Sequence, residues 1–458
     1  MTRFSSPASV SGIAKAPASK SSMQRAVACA ALASGGSTLR SPSLCDDGRS
    51  ALAVAVALGA GVSIGPGGIY VRGIGFGRGP GRGLGRGWSP SGPAASSTLA
   101  PDARRVLPCG ESGLSLRMFT PIAALFPGES LLEAKGSLLL RPVTAIEGAL
   151  AGLGAKASTM GGFPPVRVRG PLRGGSIEVD AGTSSQFLTG LLIALPLAPR
   201  DSVLSVPRIV STGYVELTLR TMAAFGVEVE AAPGFTRFGI AGGRSYTARD
   251  FTVEGDWSGA AFFLVAGAIA GREGSAIVVD SLDLGSEQPD RAIMDALALS
   301  GATFETVPAP GGAASIRVMR SKLRAFDFDA TDCPDLFPPL AVLAASCEGV
   351  TTLRGAARLK AKESDRATAL REEFGKLGIP VEVEGDLMRV HGDAGRRGGS
   401  AEVRLGAQVH IDPRGDHRMA MAAAIAALVG GSVVEIEGAE CVSKSWPSFF
   451  EDLEALKG

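Results

Sequence analysis

Ser364-Asp-Arg-Ala-Thr-Ala-Leu-Arg-Glu-Glu-Phe-Gly-Lys-Leu-Gly-Ile-Pro-Val-Glu-Val-Glu384 reads as a helix, a stop and a strand. Ala367, Leu370, Phe374 and Leu377 recur at helical spacing and share one face. Gly378 follows, the residue type that takes positive φ past a helix end most cheaply. Ile-Pro-Val-Glu-Val-Glu then alternates as a strand does. The same succession recurs along the chain: Leu58-Gly59 before AGVSI, Leu153-Gly154 before AKAS, Phe225-Gly226 before VEVEA and Ser300-Gly301 before ATFE. A last helical pattern reaches Leu456-Lys457-Gly458. Successive glycines stand 95, 72, 75, 77 and 80 residues apart. That spacing predicts six related units, each too small to fold alone, grouped as two domains of three. Val215, Leu219, Met222 and Phe225 give a second helical face, and VLSVPRI, AIVVDSL and SVVEIEG read as short strands.

Composition bounds the partners. The 458 residues are 45% hydrophobic and 20% charged, and 46 Lys and Arg against 45 Asp and Glu leave a net charge of +1. Binding of nucleic acid through bulk charge is therefore not expected, and an anion site has to come from local placement of cations. Glycine is abundant, at 62 residues, and aromatics make up 5%, which suits close-packed α/β layers of small aliphatic side chains. Cys29, Cys45, Cys109, Cys333, Cys347 and Cys441 form no Cys-x-x-Cys pair, and there are three histidines, His391, His410 and His417. Buried reduced thiols and no metal site are expected. No apolar stretch precedes residue 50, and the longest apolar run, residues 51–64, is too short to span a bilayer. A soluble cytoplasmic protein without membrane contact is the expectation.

The longest interval between glycines holds an odd segment, residues 72–101, RGIGFGRGPGRGLGRGWSPSGPAASSTLAP. Glycine occupies every odd position from 73 to 87, so the register of a dinucleotide-binding G-x-G-x-x-G fails. The segment reads as a solvated insertion in a surface loop; the competing reading is an Arg-Gly contact for RNA or an acidic partner.

Chemistry-bearing residues collect at turns that open helices. Lys20 and Ser21 begin a helix, with Arg25 one turn on, and a helix N-terminus offers free N–H groups to phosphates and carboxylates. Gly110-Glu-Ser-Gly113-Leu-Ser-Leu-Arg117 is another glycine-rich turn into a helix, and Arg141-Pro142 presents one guanidinium. Ser184, Ser185 and Gln186 offer uncharged donors, or else an ordinary Ser-rich cap. Lys362, Glu363 and Arg366 cluster at a helix start, where a Lys beside a Glu moves protons if neighbours tune it; the plain alternative is a capped helix with surface ion pairs. Asp335 precedes an apolar helix, Arg418 opens an Ala-rich one in Gly-Asp-His-Arg-Met-Ala, and Lys444 lies in Val-Ser-Lys-Ser-Trp-Pro. Together these place Lys or Arg at helix openings in most units, a pattern that builds a pocket for polyanionic small molecules.

In this order, P-A-S-K-S-S-M-Q-R, G-E-S-G-L-S-L-R, L-R-P, S-S-Q-F-L-T, V-E-G-D-W-S, K-E-S-D-R, G-D-H-R-M-A-M and K-S-W-P-S-F-F resemble the 5-enolpyruvylshikimate-3-phosphate synthase family over nearly the whole chain. The resemblance implies a two-domain inside-out α/β barrel of six βαβαββ-type repeats, three per domain, with the active site in the interdomain cleft. One domain would span 18–255, mainly the shikimate 3-phosphate side, and include the insertion. The other would join 1–17 to 256–458, mainly the phosphoenolpyruvate and catalytic side. The implied reaction transfers the enolpyruvyl group of phosphoenolpyruvate to the 5-hydroxyl of shikimate 3-phosphate, releasing phosphate, in chorismate and aromatic amino acid biosynthesis. The family implies no cofactor, no metal and a monomer.

By motif, the resemblance assigns phosphoenolpyruvate to Lys20, Gly113, Arg141, Gln186, Arg366, Arg418 and Lys444. It assigns shikimate 3-phosphate to Lys20, Ser21, Arg25, Ser184, Ser185, Gln186, Ser211, Tyr214, Asp335, Arg358 and Lys362. Asp335 would be the base on the hydroxyl, Glu363 would carry the proton at the methyl carbon, and Lys20 is a further candidate for proton transfer. Three positions depart from the family pattern: Glu111 replaces an Asn in the glycine-rich turn, Arg358 stands where an Asn often meets the shikimate phosphate, and Ala18 replaces a Gly. The related transferase acting on UDP-N-acetylglucosamine is disfavoured by Ser-Ser-Gln and Lys-Glu-Ser-Asp-Arg. A silent RNA-binding homologue is disfavoured by retention of the whole cation set.

Overall fold

A computed structural model describes residues 1–76, 104–143, 146–308, 312–392 and 408–457. From residue 77 onward the Gly/Arg-rich segment lies outside the described residues. The five described stop glycines, Gly59, Gly154, Gly226, Gly301 and Gly378, have φ of 106°, 85°, 82°, 80° and 68°. Each follows an outer helix, where a side chain would be strained.

Among the described residues there are six small sheets, five of four strands and one of three. The repeat is clearest over Arg105–Arg169. Strand Arg105–Pro108 leads to helix Gly113–Ala123, strand Glu129–Glu133 to helix Ile146–Gly152, and the hairpin Lys156–Met160 with Phe163–Arg169 closes it. The first two strands pair in parallel, and the last strand inserts antiparallel beside the second. Ser176–Ile240 and Asp327–His391 repeat this order. The other three sheets borrow a strand from elsewhere. Phe251–Thr252 pairs in parallel with Gly36–Arg40, Gly12–Lys15 with Ile277–Asp283, and Arg3–Ser5 joins Val433–Ile436 antiparallel.

The first helix of every repeat is buried along nearly its whole length: Lys20–Leu32, Gly113–Ala123, Gln186–Ala194, Trp257–Ala270, Phe337–Ala345 and His417–Ala427. A helix with no polar face, such as Trp257–Ala270, has to sit inside. The second helix is amphipathic and lies outside. Arg366–Lys376 buries Ala369, Leu370 and Phe374, with Ala367 and Leu377 half-buried. In Thr212–Ala224 the buried positions are Val215, Leu217, Thr218, Thr221 and Met222. Leu219, expected on that face, is only half-buried because Thr218 turns inward to meet Arg25. The strand expected from Val227 is reduced to Glu230–Ala231.

The chain divides into two compact units, Met1–Ser19 with Glu254–Gly458, and Lys20–Val253. The division falls two residues inside the boundaries expected from sequence. Ala18 bridges to Gly255, and Ser19 N–H donates to the Glu254 carbonyl at 2.8 Å, so these residues run with the first unit. Within that unit the core helices Trp257–Ala270, Phe337–Ala345 and His417–Ala427 pack on one another. Within Lys20–Val253 the helix Gly113–Ala123 packs against both Lys20–Leu32 and Gln186–Ala194. Cys29, Cys45, Cys109, Cys333 and Cys347 are buried; Cys441 is half-buried. Among the described residues no helix is long and apolar enough to cross a membrane.

Candidate active site

Equivalence of the repeats explains why distant motifs meet. Each core helix opens at the corresponding place in its repeat, so motifs roughly one repeat apart in sequence gather at the helix openings of one unit. Lys20, Gly113 and Gln186 are the first residues of the three core helices of Lys20–Val253. Asp256 and Asp416 cap two core helices of the other unit, and Asp335 sits in the 3-10 turn that enters the third.

In Lys20–Val253, Lys20 Nζ lies 3.1 Å from Asp47 Oδ2, both largely sheltered. Gln24 Nε2 donates at 3.2 Å to Ser112 Oγ, which caps the second core helix through Ser115 N–H. Arg117 ties the remaining pieces together. It donates to the Gly113 carbonyl at 3.3 Å, to Gln186 Oε1 at 3.2 Å and to the Pro142 carbonyl at 2.8 Å. Gly113 lies against two guanidinium groups: a Cβ there would be 2.9 Å from Arg141 Nη1 and 3.0 Å from Arg117 Nη1, so a side chain would displace them.

Arg25 is buried and braces the third repeat against the first. Nε donates to Thr218 Oγ1 at 2.8 Å, and the terminal nitrogens reach the Ser21 carbonyl, Thr189 Oγ1 and the Tyr214 carbonyl. The Tyr214 ring lies 5.6 Å from its guanidinium carbon. Ser211, buried, takes φ of 55°, a left-handed conformation unusual outside glycine. Ser184 Oγ, rather than Ser185, accepts from Gln186 N–H, at 3.3 Å. Glu111 turns away from the helix opening. Its carboxylate packs where a Cβ on Gly136 would be and accepts from Ser137 Oγ at 3.3 Å.

The unit containing Asp335 holds the densest charge. Arg366, fully buried, donates to Asp416 Oδ2 at 2.7 Å, Asp335 Oδ1 at 2.6 Å and Glu363 Oε2 at 2.7 Å. Asp335 also faces Arg418 Nη2 at 3.2 Å and Lys362 Nζ at 3.6 Å. Burial alone would raise the Asp335 carboxyl, but Arg418, Lys362 and Arg366 outweigh it and hold it well below the usual carboxylate range. Burial lowers the Lys362 ammonium, against the pull of Asp335. Asp416 does double duty, capping its helix through Arg418 N–H at 3.0 Å and anchoring Arg366. Lys444, also buried, ends a 3-10 turn whose position is set by Trp446, packed edge-on against Phe263 at 4.8 Å. Arg358 folds onto the Thr331 carbonyl of its own repeat.

Lys20, Lys362, Arg366 and Arg418 are thus each already paired with a carboxylate. Asp47, Asp416 and Arg117 are the members that sequence motifs did not single out for a role. Only Asp416 and Arg117 carried a signal, lying inside motifs already quoted. Among the described residues no group of three His, Cys, Asp or Glu is placed to hold a metal ion.

Two sets of layered βαβαββ-type repeats with polar helix openings define an enolpyruvyl transferase fold. The chain is similar in structure to the enolpyruvyl transferase NikO from Streptomyces tendae, with a TM-score of 0.71 at 17% identity over 99% of this chain and 97% of that one. It is more similar to an EPSP synthase from Acinetobacter baumannii, with a TM-score of 0.78 at 26% identity over 100% and 98%. In sequence it is 38% identical to a 3-phosphoshikimate 1-carboxyvinyltransferase of Halobacterium salinarum across 98% of this chain and 97% of that protein. A family model described as EPSP synthase (3-phosphoshikimate 1-carboxyvinyltransferase) matches residues 91–453. The chain belongs to the EPSP synthase family.

Proposed function

We propose that this chain transfers the enolpyruvyl group of phosphoenolpyruvate to the 5-hydroxyl of shikimate 3-phosphate, releasing inorganic phosphate, with Asp335 and Glu363 as its proton-handling groups. The observation that carries the reading is the arrangement of both carboxylates on one buried guanidinium, Arg366, with Lys362 and Arg418 against Asp335. Protonation of the methylene carbon of phosphoenolpyruvate makes C2 electrophilic. The 5-hydroxyl oxygen bonds to C2 and its proton passes to Asp335. Phosphate then leaves the tetrahedral adduct, and Glu363 takes back a proton from the methyl carbon to restore the double bond. Lys20 is a further candidate for proton transfer.

Both substrates are phosphorylated carboxylates, and burying them calls for several cations held in place beforehand. From the Lys20–Val253 unit, Lys20, Ser21, Arg25, Ser184, Ser185, Gln186, Ser211 and Tyr214 serve shikimate 3-phosphate, and Lys20, Gly113, Arg141 and Gln186 serve phosphoenolpyruvate. From the other unit, Asp335, Arg358 and Lys362 serve the former, and Arg366, Arg418 and Lys444 the latter. A cytoplasmic monomer is the accompanying proposal, and gel filtration checks its oligomeric state.

Phosphate release from the purified protein is the test. Release requires both substrates, and Asp335→Asn lowers kcat by about 10² to 10⁴ while shikimate 3-phosphate still binds. A full-rate Asp335→Asn enzyme removes Asp335 as the base, and release without shikimate 3-phosphate removes the reaction.

A further inference from the structure

Thr189 and Thr218 have no part in the function proposed above. Thr189 closes the motif S-S-Q-F-L-T and carries the one hydroxyl of the apolar helix Gln186–Ala194. Thr218 lies on the buried face of Thr212–Ala224. Both are fully buried. Valine would fill either place at similar volume, and a buried hydroxyl is costly unless it is hydrogen-bonded. Thr120 and Thr221 meet that cost within their own helices, donating to the Leu116 and Leu217 carbonyls at 2.7 Å. Thr218 likewise donates to the Tyr214 carbonyl at 2.8 Å, which commits its single proton. Its oxygen remains an acceptor and takes Arg25 Nε–H at 2.8 Å. Thr189 Oγ1 lies 3.2 Å from Thr218 Oγ1. Thr218 has no second proton to give, so Thr189 is the donor of that pair, and its oxygen accepts from Arg25 Nη2 at 3.4 Å. Nη2 donates as well to the Tyr214 carbonyl at 3.1 Å.

We propose that Thr218, with Thr189 behind it, is a positioning residue for shikimate 3-phosphate: the two hydroxyls hold the Nε/Nη2 edge of Arg25 so that its guanidinium is already aimed when the anionic substrate arrives. The inference rests on the reading of Arg25 as a shikimate 3-phosphate ligand. The two hydroxyls and the Tyr214 carbonyl are neutral acceptors, so they fix the direction of the guanidinium without cancelling its charge. The carboxylates beside Lys20, Arg366 and Arg418 fix those cations by opposing their charge. The Ser21 carbonyl holds Arg25 Nη1 at 2.8 Å, so acceptors grip the planar group on both sides. An arginine placed beforehand gives up little conformational freedom when an anion binds. The three repeats of Lys20–Val253 make the device possible. Arg25 stands on the core helix of the first repeat, and both threonines stand on helices of the third.

Thr218→Val keeps the shape and removes the acceptor, and Thr218→Ser restores it. Calorimetry with shikimate 3-phosphate alone should show Kd about tenfold higher in Thr218→Val and within about twofold of wild type in Thr218→Ser, the scale of one hydrogen bond to a charged group. In steady state the KM for shikimate 3-phosphate rises by a similar factor, while that for phosphoenolpyruvate stays within about threefold. A merely structural role would raise both KM values together, or leave Thr218→Ser as impaired as Thr218→Val, and either result overturns the proposal. Nitrogen-15 NMR of arginine-labelled protein reads the contact without substrate. Arg25 Nε–H, assigned by its loss in Arg25→Lys, exchanges slowly with solvent in wild type and at least about tenfold faster in Thr218→Val; equal exchange in the two overturns the proposal. Should Thr218→Val not fold, Thr189→Val carries the same comparison with about a threefold rise in Kd, since its bond to Arg25 is the longer one, and an unchanged Kd there overturns the proposal. If wild type itself does not bind shikimate 3-phosphate, the reading of the site falls and takes the proposal with it. If wild type binds and Thr218→Val binds equally well, the proposal alone falls.

Discussion

Replacing Arg366 by Met should cost the Asp335-containing unit about 3–5 kcal/mol of stability, the usual loss when one member of a buried ion pair is removed. Arg366 is fully buried and meets three carboxylates, Asp335, Glu363 and Asp416, at 2.6–2.7 Å. The loss is not three times the pairwise value. Asp335 keeps Lys362 and Arg418, and Glu363 is partly open to solvent. Asp416 is completely buried and keeps the Ser364 hydroxyl and the Arg418 N–H, both neutral donors, so most of the cost falls there. Urea unfolding followed by tryptophan fluorescence reads this unit directly, because Trp257 and Trp446 are both buried within it. At an m-value near 3 kcal/mol/M the midpoint falls by about 1–2 M. The pH dependence has a definite sign. Asp335 has a depressed carboxyl, so its contribution is full above the ordinary carboxylate pKa of about 3.9 and is lost as pH falls through its lower folded value. Without Arg366 part of that contribution is missing, so the deficit is widest at neutral pH and narrows in acid. A loss under about 1 kcal/mol, or a deficit that widens in acid, would refute the reasoning.

Two further outcomes follow from contacts in Lys20–Val253. Gly113→Ala places a Cβ 2.9 Å from Arg141 Nη1 and 3.0 Å from Arg117 Nη1. It should raise the KM for phosphoenolpyruvate about tenfold while shikimate 3-phosphate binds as before, since displacing a positioned charge weakens only the ligand it holds; steady-state kinetics and calorimetry check this. Asp47→Asn removes the carboxylate 3.1 Å from Lys20 Nζ. It should lower kcat/KM for phosphoenolpyruvate about tenfold with the unfolding midpoint little changed, and an unaltered kcat/KM would show that Lys20 is held by other contacts.

The six-unit architecture was legible because its signal is local and repeated. Each outer helix needs a residue at positive φ past its end, glycine is the inexpensive choice, and the five described glycines all adopt it. Core helices such as Trp257–Ala270 declare their burial by having no polar face. The failures came from long-range contacts. Leu219 lost its place to Thr218, whose hydroxyl serves Arg25, a partner 193 residues away in the chain. Which strands close the first, fourth and sixth sheets was not readable, since Phe251–Thr252, Gly12–Lys15 and Arg3–Ser5 join sheets far from them in sequence.

The motifs, in turn, named most of the residues now placed at the helix openings, because anion-binding turns need particular residue types at fixed short spacings. What sequence alone could not convey is how those residues hold one another. Arg366 and Asp416 are 50 positions apart, and Arg418 and Asp335 are 83, yet each pair is in contact. Asp47 lies in no motif at all. Its contact with Lys20, sheltered from solvent, exists only once the chain has folded, because burial and long-range proximity are properties of the tertiary structure.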